Sequence, residues 1–438
     1  MVEAARSLLK ATGPTYFPIA LVARLPYAMM VVGVLTLVVA GRDSLAFGGL
    51  SSAMVGIGAA CFGPLLGAAA DRFGQRPVLL VAGVASTTAL GLMAWVVYSP
   101  LPGAAVLAVA FLVGASAPQI APMSRSRLVQ IIAARISPAR RERTFDATMA
   151  YESAADEMVF IIGPFLVGLL GTALDPWAPV AAAAVVTLVF VSAFAVHPTA
   201  TALAEPGGES VAPAPAAELR RPALLVVVAG ILGVGLFFGS MLTSLTAFMG
   251  DHGNAEGAGL VYGVMGIGSA AFALGVAFLP SAFSLRARWL VFAGVLVAGT
   301  ALLPLAGSVA AMCALLLVIG TGVGPTMVTQ YSLGALRSPV GRSATVMTML
   351  GSAVIVGQAA ASVVTGNLAD RFGTGAALVV PLVAAGLVLV AGLVNWRLSP
   401  PAPAGGLDEL DQLDELDQRG LDELDQLDQL DQRGRLVG

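Results

Sequence analysis

Long apolar runs separated by short polar segments recur along the chain as far as about residue 396. A helix of about 20 apolar residues spans a hydrocarbon core of roughly 30 Å. Twelve runs meet that length: about 16 to 40, 47 to 69, 78 to 98, 102 to 125, 147 to 173, 177 to 196, 222 to 248, 257 to 279, 288 to 306, 309 to 331, 343 to 366 and 375 to 396. They predict an all-α membrane protein with twelve transmembrane helices. The stretch MVEAARSLLKATGPTYFPIAL ahead of the first run lacks a short apolar core with a small-residue cleavage site. The first span is therefore expected to stay in the protein as a helix and not to be removed as a signal peptide.

Composition sharpens this picture. Of 438 residues 57% are hydrophobic and 11% charged, against roughly 25% charged in a soluble globular chain, so a water-soluble enzyme is excluded. Fifty-one glycines are scattered through the apolar runs without a Gly-x-x period, as expected where membrane helices pack closely. Cys61 and Cys313 lie far apart inside apolar runs, which excludes a disulfide framework and a cysteine zinc site. No metal and no cofactor are expected. The nucleotide-binding pattern G-x-x-x-x-G-K-[ST] is absent and Lys10 is the only lysine, which argues against ATP-driven pumping.

Positive charge in short loops orients the spans. With the N-terminus in the cytoplasm, seventeen basic residues fall in inside segments before the tail, Arg125, Arg127 and Arg288 among them, and only Arg42 and Arg371 fall outside. The expected location is the inner (cytoplasmic) membrane, multi-pass, with both termini cytoplasmic. The one long loop, residues 199 to 221, is rich in Pro, Ala, Gly and Glu and reads as a flexible cytoplasmic linker. It separates an N-terminal six-helix half, 1 to 198, from a C-terminal six-helix half, 222 to 398. The halves echo each other: VGASAP at 113 to 118 is similar to IGTGVGP at 319 to 325, and Gly171 to Asp175 matches Gly366 to Asp370, at offsets of 195 to 206 residues. Two pseudo-symmetric six-helix bundles follow. Residues 399 to 438 form a tail whose LDELDQ repeats hold 11 acids against 3 arginines from residue 407 onward. Leucine at every third position drifts around a 3.6-residue helix, so a solvated, mostly disordered acidic extension is expected, with a partner-binding helix as the alternative.

Between the second and third spans lies Gly67-Ala-Ala-Ala-Asp71-Arg72-Phe73-Gly74-Gln75-Arg76. This run resembles the loop signature G-x-x-x-D-R-x-G-R/Q-R/K of the major facilitator superfamily, and it sits where that family carries it. The resemblance implies a two-times-six transporter fold and a cytoplasmic gate in which Asp71 contacts a helix start in the opposite half, near Ser343, while the basic residues pair locally. A second run, Gly366 to Gly373, falls on the outer side and cannot serve that gate. The cytoplasmic loop equivalent to the signature in the second half, Pro280 to Trp289, lacks the aspartate and glycines, so the gate is expected to be asymmetric. In the fifth span Gly163, Pro164 and Gly168 are similar to part of the antiporter motif of the family's exporters, whereas Ala150, Val159 and Val167 stand where that motif has glycine. Proline and glycine there also predict bending and close packing in their own right.

Ionisable groups within a membrane are costly and functional by default. Four are placed at depth by the sequence: Arg24 in the first span and Glu152, Asp156 and Glu157 in the fifth. At 1.5 Å per residue Arg24 shares a level with Asp156 and Glu157, so an ion pair is geometrically possible. Glu152, about one and a half turns in, is expected to reach cytoplasmic water. One arginine cannot neutralise three carboxylates, so at least one is expected to hold a proton reversibly. Interiors of the seventh to twelfth spans carry no charge. Their polar groups Ser240, Thr243, Tyr262, Gln330, Tyr331 and Gln358, with Tyr27 and Gln119 from the first half, are candidates either for a largely apolar substrate cavity or for interhelical contacts.

The leading expectation is a monomeric secondary transporter, not an enzyme, exporting a small amphiphilic or weakly polar compound against proton entry by alternating access. Its partners would be a small-molecule substrate, protons and the lipid bilayer, with no nucleic acid. A proton-coupled importer of a sugar-like or other polar nutrient would use the same acids, and a non-transporting receptor or scaffold would use the tail.

Overall fold

A computed structural model of the chain describes residues 2 to 200, 213 to 254, 257 to 280 and 282 to 398. Twelve helical spans cross it: Tyr16–Arg42, Ala46–Phe73, Gln75–Tyr98, Gly103–Arg135, Pro138–Ala173, Ala178–Val196, Pro222–Asp251, Ala258–Phe278, Leu285–Leu305, Val309–Leu336, Ser343–Phe372 and Thr374–Leu398. No strand occurs among the described residues. The acidic repeat tail lies outside the described residues, as does the middle of the loop read as a flexible linker. Residues 213 to 221 of that loop are ordered instead. Ala214 N–H donates to Val340 O at 3.0 Å and Arg342 Nε donates to Ala214 O at 2.8 Å, so the loop end is fastened beside the start of the eleventh span.

Most span ends differ from the sequence reading by a few residues, and the two largest differences matter. The fifth helix begins at Pro138 and runs 36 residues, about 54 Å at 1.5 Å per residue, far longer than a hydrocarbon core needs. The fourth span is broken after Ala115 and resumes at Ile120, continuing to Arg135. Pro118 lies in the break, where a proline disfavours helical backbone in the residue before it. Segment 120 to 135 is too polar to register as a membrane span, but it folds into the bundle. Ser124, Arg125, Ser126 and Arg127 are all buried.

Each half has its own apolar core, built in the first from residues such as Met30, Val34, Leu90, Met93 and Val113 and in the second from Ile231, Phe237, Trp289, Leu316 and Val388. The duplication is visible in how the helices cross. A Cβ on Gly114 would come within 1.8 Å of Val55 O, which brings the fourth span onto the second; a Cβ on Gly320 would come within 2.3 Å of Met265 O, bringing the tenth onto the eighth. These are repeat-equivalent pairs. The recurrent V/I-G run noted in the sequence is therefore the contact at which backbone meets backbone in each half.

We call the end at which the first span begins and the twelfth finishes the basic end. The second and eleventh spans both finish in Asp-Arg-Phe-Gly, and Gly74 and Gly373 both terminate them with φ of 86° and 80°, a backbone region open to glycine.

Candidate functional site

The long fifth helix delivers three carboxylates to the middle of the molecule, and the first and fourth spans deliver two guanidiniums to meet them. Arg24 binds Glu152 Oε2 at 2.5 Å and Asp156 Oδ1 at 3.1 Å. Arg125 binds Asp156 Oδ2 at 2.7 Å. Ser124 donates to Glu152 Oε1 at 3.0 Å, and Tyr16 lies 3.0 Å from Ser124. Two cations face two anions, each carboxylate oxygen is bonded, and Arg24, Arg125 and Glu152 are 3%, 1% and 0% exposed. Partners for the charged oxygens are what a desolvated ion cluster requires; Arg24 Nε and Arg125 Nε are buried without one.

This arrangement corrects three sequence expectations. Glu152 does not reach water but is the innermost partner of Arg24. The imbalance is two cations against three acids and not one against three, because Arg125, counted there as a loop charge, is a second buried cation. Arg24 pairs with Glu152 and Asp156 and not with Glu157.

Glu157 points about 100° away from Asp156 around the helix and belongs to a different environment. One of its oxygens accepts from the Ser269 hydroxyl of the eighth span, in the opposite half. The other is buried with no hydrogen-bond partner. Tyr262, one helical face along the eighth span, lies within electrostatic range. No arginine or lysine pairs with Glu157 among the described residues. A second contact across the halves stands close by: the Tyr331 ring lies 4.0 Å from Arg125 Cζ, a desolvated cation–π contact of about 2 kcal/mol. Tyr331 in turn neighbours Tyr27.

At the basic end the signature run is seated on the opposite half. Asp71 accepts the backbone N–H groups of Ala344 at 2.9 Å and Thr345 at 2.7 Å and the Thr345 hydroxyl at 2.6 Å. These are unpaired amides at the start of the eleventh span, where an anion is favoured. A Cβ on Gly67 would sit 2.1 Å from Thr348 Oγ1 and 2.7 Å from Ala344 O, so glycine lets the helices close on each other. Arg72 and Arg76 are exposed, and neither forms an ion pair among the described residues; Arg72 lies over Phe73, 5.2 Å from the ring centroid. The local pairing implied by the family resemblance is thus absent. Gln75 takes a bridging part instead, accepting from Arg127 Nε at 2.9 Å and donating to Met123 O at 3.2 Å. Elsewhere at this end Arg288 donates to Asp146 Oδ2 at 2.8 Å.

The remaining candidates divide. Ser240 and Thr243 donate to carbonyls of their own helix, Phe237 O and Gly239 O, and Gln119 Nε2 donates to Ala117 O in the helix break; these groups are internally satisfied. Gln358 is exposed. Gln330 is fully buried beside Trp289 and Gly230, with both amide atoms unpartnered. In the antiporter-like run Gly163 packs against Ala28, where a Cβ would come within 2.6 Å, and Pro164 sits within an unbroken helix. Gly168 meets nothing within 4 Å, so the close packing expected there does not occur.

A sequence model described as Major Facilitator Superfamily matches residues 16–354. The chain belongs to that superfamily. Its fold is similar to that of the human organic anion transporter MFSD10 (TM-score 0.65, 19% identity, 89% of this chain and 99% of that one). A bacterial homologue of the iron transporter ferroportin, in an outward-facing state, is similar at TM-score 0.65 and 13% identity over 90% and 98% of the two chains. The E. coli fucose:proton symporter follows at TM-score 0.61 and 12% identity over 86% and 98%. Comparison with curated protein sequences gave no match. Membership in the superfamily makes this chain a multi-pass membrane protein of a transporter family and not an enzyme.

For a major facilitator protein the residues the sequence hid are instructive. Arg125, Ser124 and Arg127 were masked because arginines lower the hydropathy of their run; the helical length from 120 to 135 behind Pro118 was the available signal. Ser269 and Tyr16 carried none, since a lone hydroxyl in an apolar run is commonly bonded to its own helix.

Proposed function

We propose that this protein is a proton-coupled secondary transporter of the inner membrane that exports a small amphiphilic or weakly polar compound by rocking of its two halves. Its basic end faces the cytoplasm, in keeping with the positive-inside rule, and the protein acts as a monomer. The observation that carries the reading is the difference between the acids of the fifth span. Glu152 and Asp156 are matched by Arg24 and Arg125, whereas Glu157 has one hydroxyl partner in the other half and one bare oxygen. Proton arrival at a matched acid would strand a buried cation. Arrival at Glu157 removes an uncompensated charge from the seam between the halves, which ties its protonation to their relative position.

In this mechanism Glu157 accepts a proton entering from the outer side and releases it to the cytoplasm after the halves rock. The neutral cluster of Arg24, Arg125, Glu152 and Asp156 holds the fifth span rigid beside it. Tyr27, Tyr262 and Tyr331 supply aromatic surface and hydroxyls near the same seam, fit for an amphiphilic compound. A proton-coupled importer would use the same carboxyl, and the sign of the proton flux separates the two directions.

The test uses purified protein in vesicles carrying an internal pH dye, with a panel of amphiphilic compounds and sugars. Substrate-dependent proton flux is expected for the natural chain. Glu157→Gln is expected to abolish proton-driven accumulation while energy-independent exchange continues. Accumulation by Glu157→Gln on an imposed proton gradient would refute the assignment.

A further inference from the structure

The cytoplasmic loop of the second half has lost the acidic signature, and the sequence therefore suggests a one-sided gate. The structure fills the missing place with a group of opposite charge. Arg288, in the first turn of the ninth span and 2% exposed, donates to Asp146 on the fifth span at 2.8 Å. The same guanidinium holds the loop after the eighth span, through Nε to Phe283 O at 2.7 Å and a second nitrogen to Pro280 O at 3.4 Å. It is thus fixed in direction by its own half before it reaches the other.

Set against the internal repeat, the two contacts are counterparts. In one, a residue of the loop joining spans two and three meets the start of span eleven. In the other, a residue closing the loop between spans eight and nine meets the early turns of span five. Spans two and eight are repeat equivalents, and so are eleven and five. Asp146 and Thr345 stand 199 positions apart, inside the offsets that relate the halves. Asp71 presents an anion to helix amides, and Arg288 presents a cation to a carboxylate.

We infer that Arg288 and Asp146 form a second latch of the gate, placed by the pseudo-symmetry opposite Asp71 and inverted in charge. Beneath it lies a small apolar plug shared by the halves, Met149, Ala273, Val276 and Val328, with Met149 one turn from Asp146. While both latches hold, that plug is closed to water at the basic end. Losing the ion pair frees the eighth-to-ninth hairpin from the fifth span, and the plug becomes reachable. This inference needs only that the halves rock, and it stands whether or not Glu157 carries a proton.

The experiment needs no substrate. In a full-length background with Cys61→Ala and Cys313→Ala, Met149→Cys is introduced and its labelling by a membrane-impermeant maleimide is timed in nanodiscs. Slow labelling is expected with the latch intact. Arg288→Ala and Asp146→Asn are each expected to speed it at least tenfold, and the exchange Asp146→Arg with Arg288→Asp, which restores the charge pair without the loop carbonyl bonds, to slow it again to an intermediate rate. Melting curves confirm that each variant is folded. Single variants that are folded yet label no faster would overturn the latch. So would fast labelling of both singles that the charge exchange fails to slow, since the pair would then act only by filling space. If a single variant does not fold, Arg288→Lys, which keeps the charge but loses the loop carbonyls, takes its place and is expected to label at an intermediate rate; a rate equal to that of the intact latch would overturn the fixed-direction argument.

Discussion

About one and a half turns of helix separate two carboxyls that the structure places in different surroundings. Glu152 is fully buried and shares Arg24 with Asp156; Glu157 lies at the seam with a hydroxyl for company. Deleting the charge of Glu152 leaves Arg24 and Ser124 underbonded in a buried site, and removing one partner of a buried pair costs about 3 to 5 kcal/mol. Glu157→Gln leaves no stranded cation, and the amide oxygen still accepts from Ser269. Melting of the two variants in the same detergent is expected to show a large loss for Glu152→Gln and a shift within about 1 kcal/mol for Glu157→Gln. Equal losses would mean that Glu157 belongs to the structural cluster. The acids of this site were legible in the sequence because charge in an apolar run stands out. Their partition was not, since it depends on Arg125, which hydropathy assigns to a loop and packing assigns to the core.

Helices were the most legible level, for a simple physical reason: in lipid every backbone group must be bonded within its own segment, so length and apolarity nearly suffice to place a span. What they do not specify is where one helix touches the next. Gly114 and Gly168 look alike in sequence, both being glycines in apolar runs beside a family motif or repeat. Yet a Cβ would collide with Val55 O in one case and meet open space in the other. Gly114→Val is expected to push the fourth span off the second, at a cost above the 1 to 3 kcal/mol or so of ordinary overpacking because the obstacle is backbone. Gly168→Ala is expected to be neutral or to stabilise by up to about 1 kcal/mol, the usual gain in helix propensity. Thermal unfolding of the pair checks this, and a folded, fully stable Gly114→Val would undo the account of the crossing. The same comparison shows why half of the antiporter-like motif carries less weight than its letters suggest: Gly163 is required by Ala28, and Gly168 by no neighbour.

At the scale of the whole molecule the rocking proposed above turns on the residues that cross between the two six-helix halves. Asp71 is the one whose partner across the halves the sequence could name, because its signature surrounds it; Tyr331 and Glu157 stood out only as candidates without partners, and Arg288 and Ser269 not as crossing residues at all, since each meets its partner only after the halves are assembled. Asp71 binds the eleventh span through two backbone amides and one hydroxyl, bonds strengthened by its charge and by the helix dipole, worth about 0.3 to 1 kcal/mol and up to about 2 when partly buried. Asn in its place offers a single acceptor and turns an amide N–H toward other N–H groups. Asp71→Asn is therefore expected to weaken closure at the basic end and slow transport severalfold, while the protein stays folded, because each half keeps its own core. Thr345→Val removes the hydroxyl and spares both amide bonds, so its effect is expected to be clearly smaller. Exchange rates in vesicles, with melting curves alongside, rank the two. If Thr345→Val slowed exchange as much as Asp71→Asn, the hydroxyl and not the helix start would be the anchor. If Asp71→Asn left both exchange and melting unchanged, the contact would have no part in the gate.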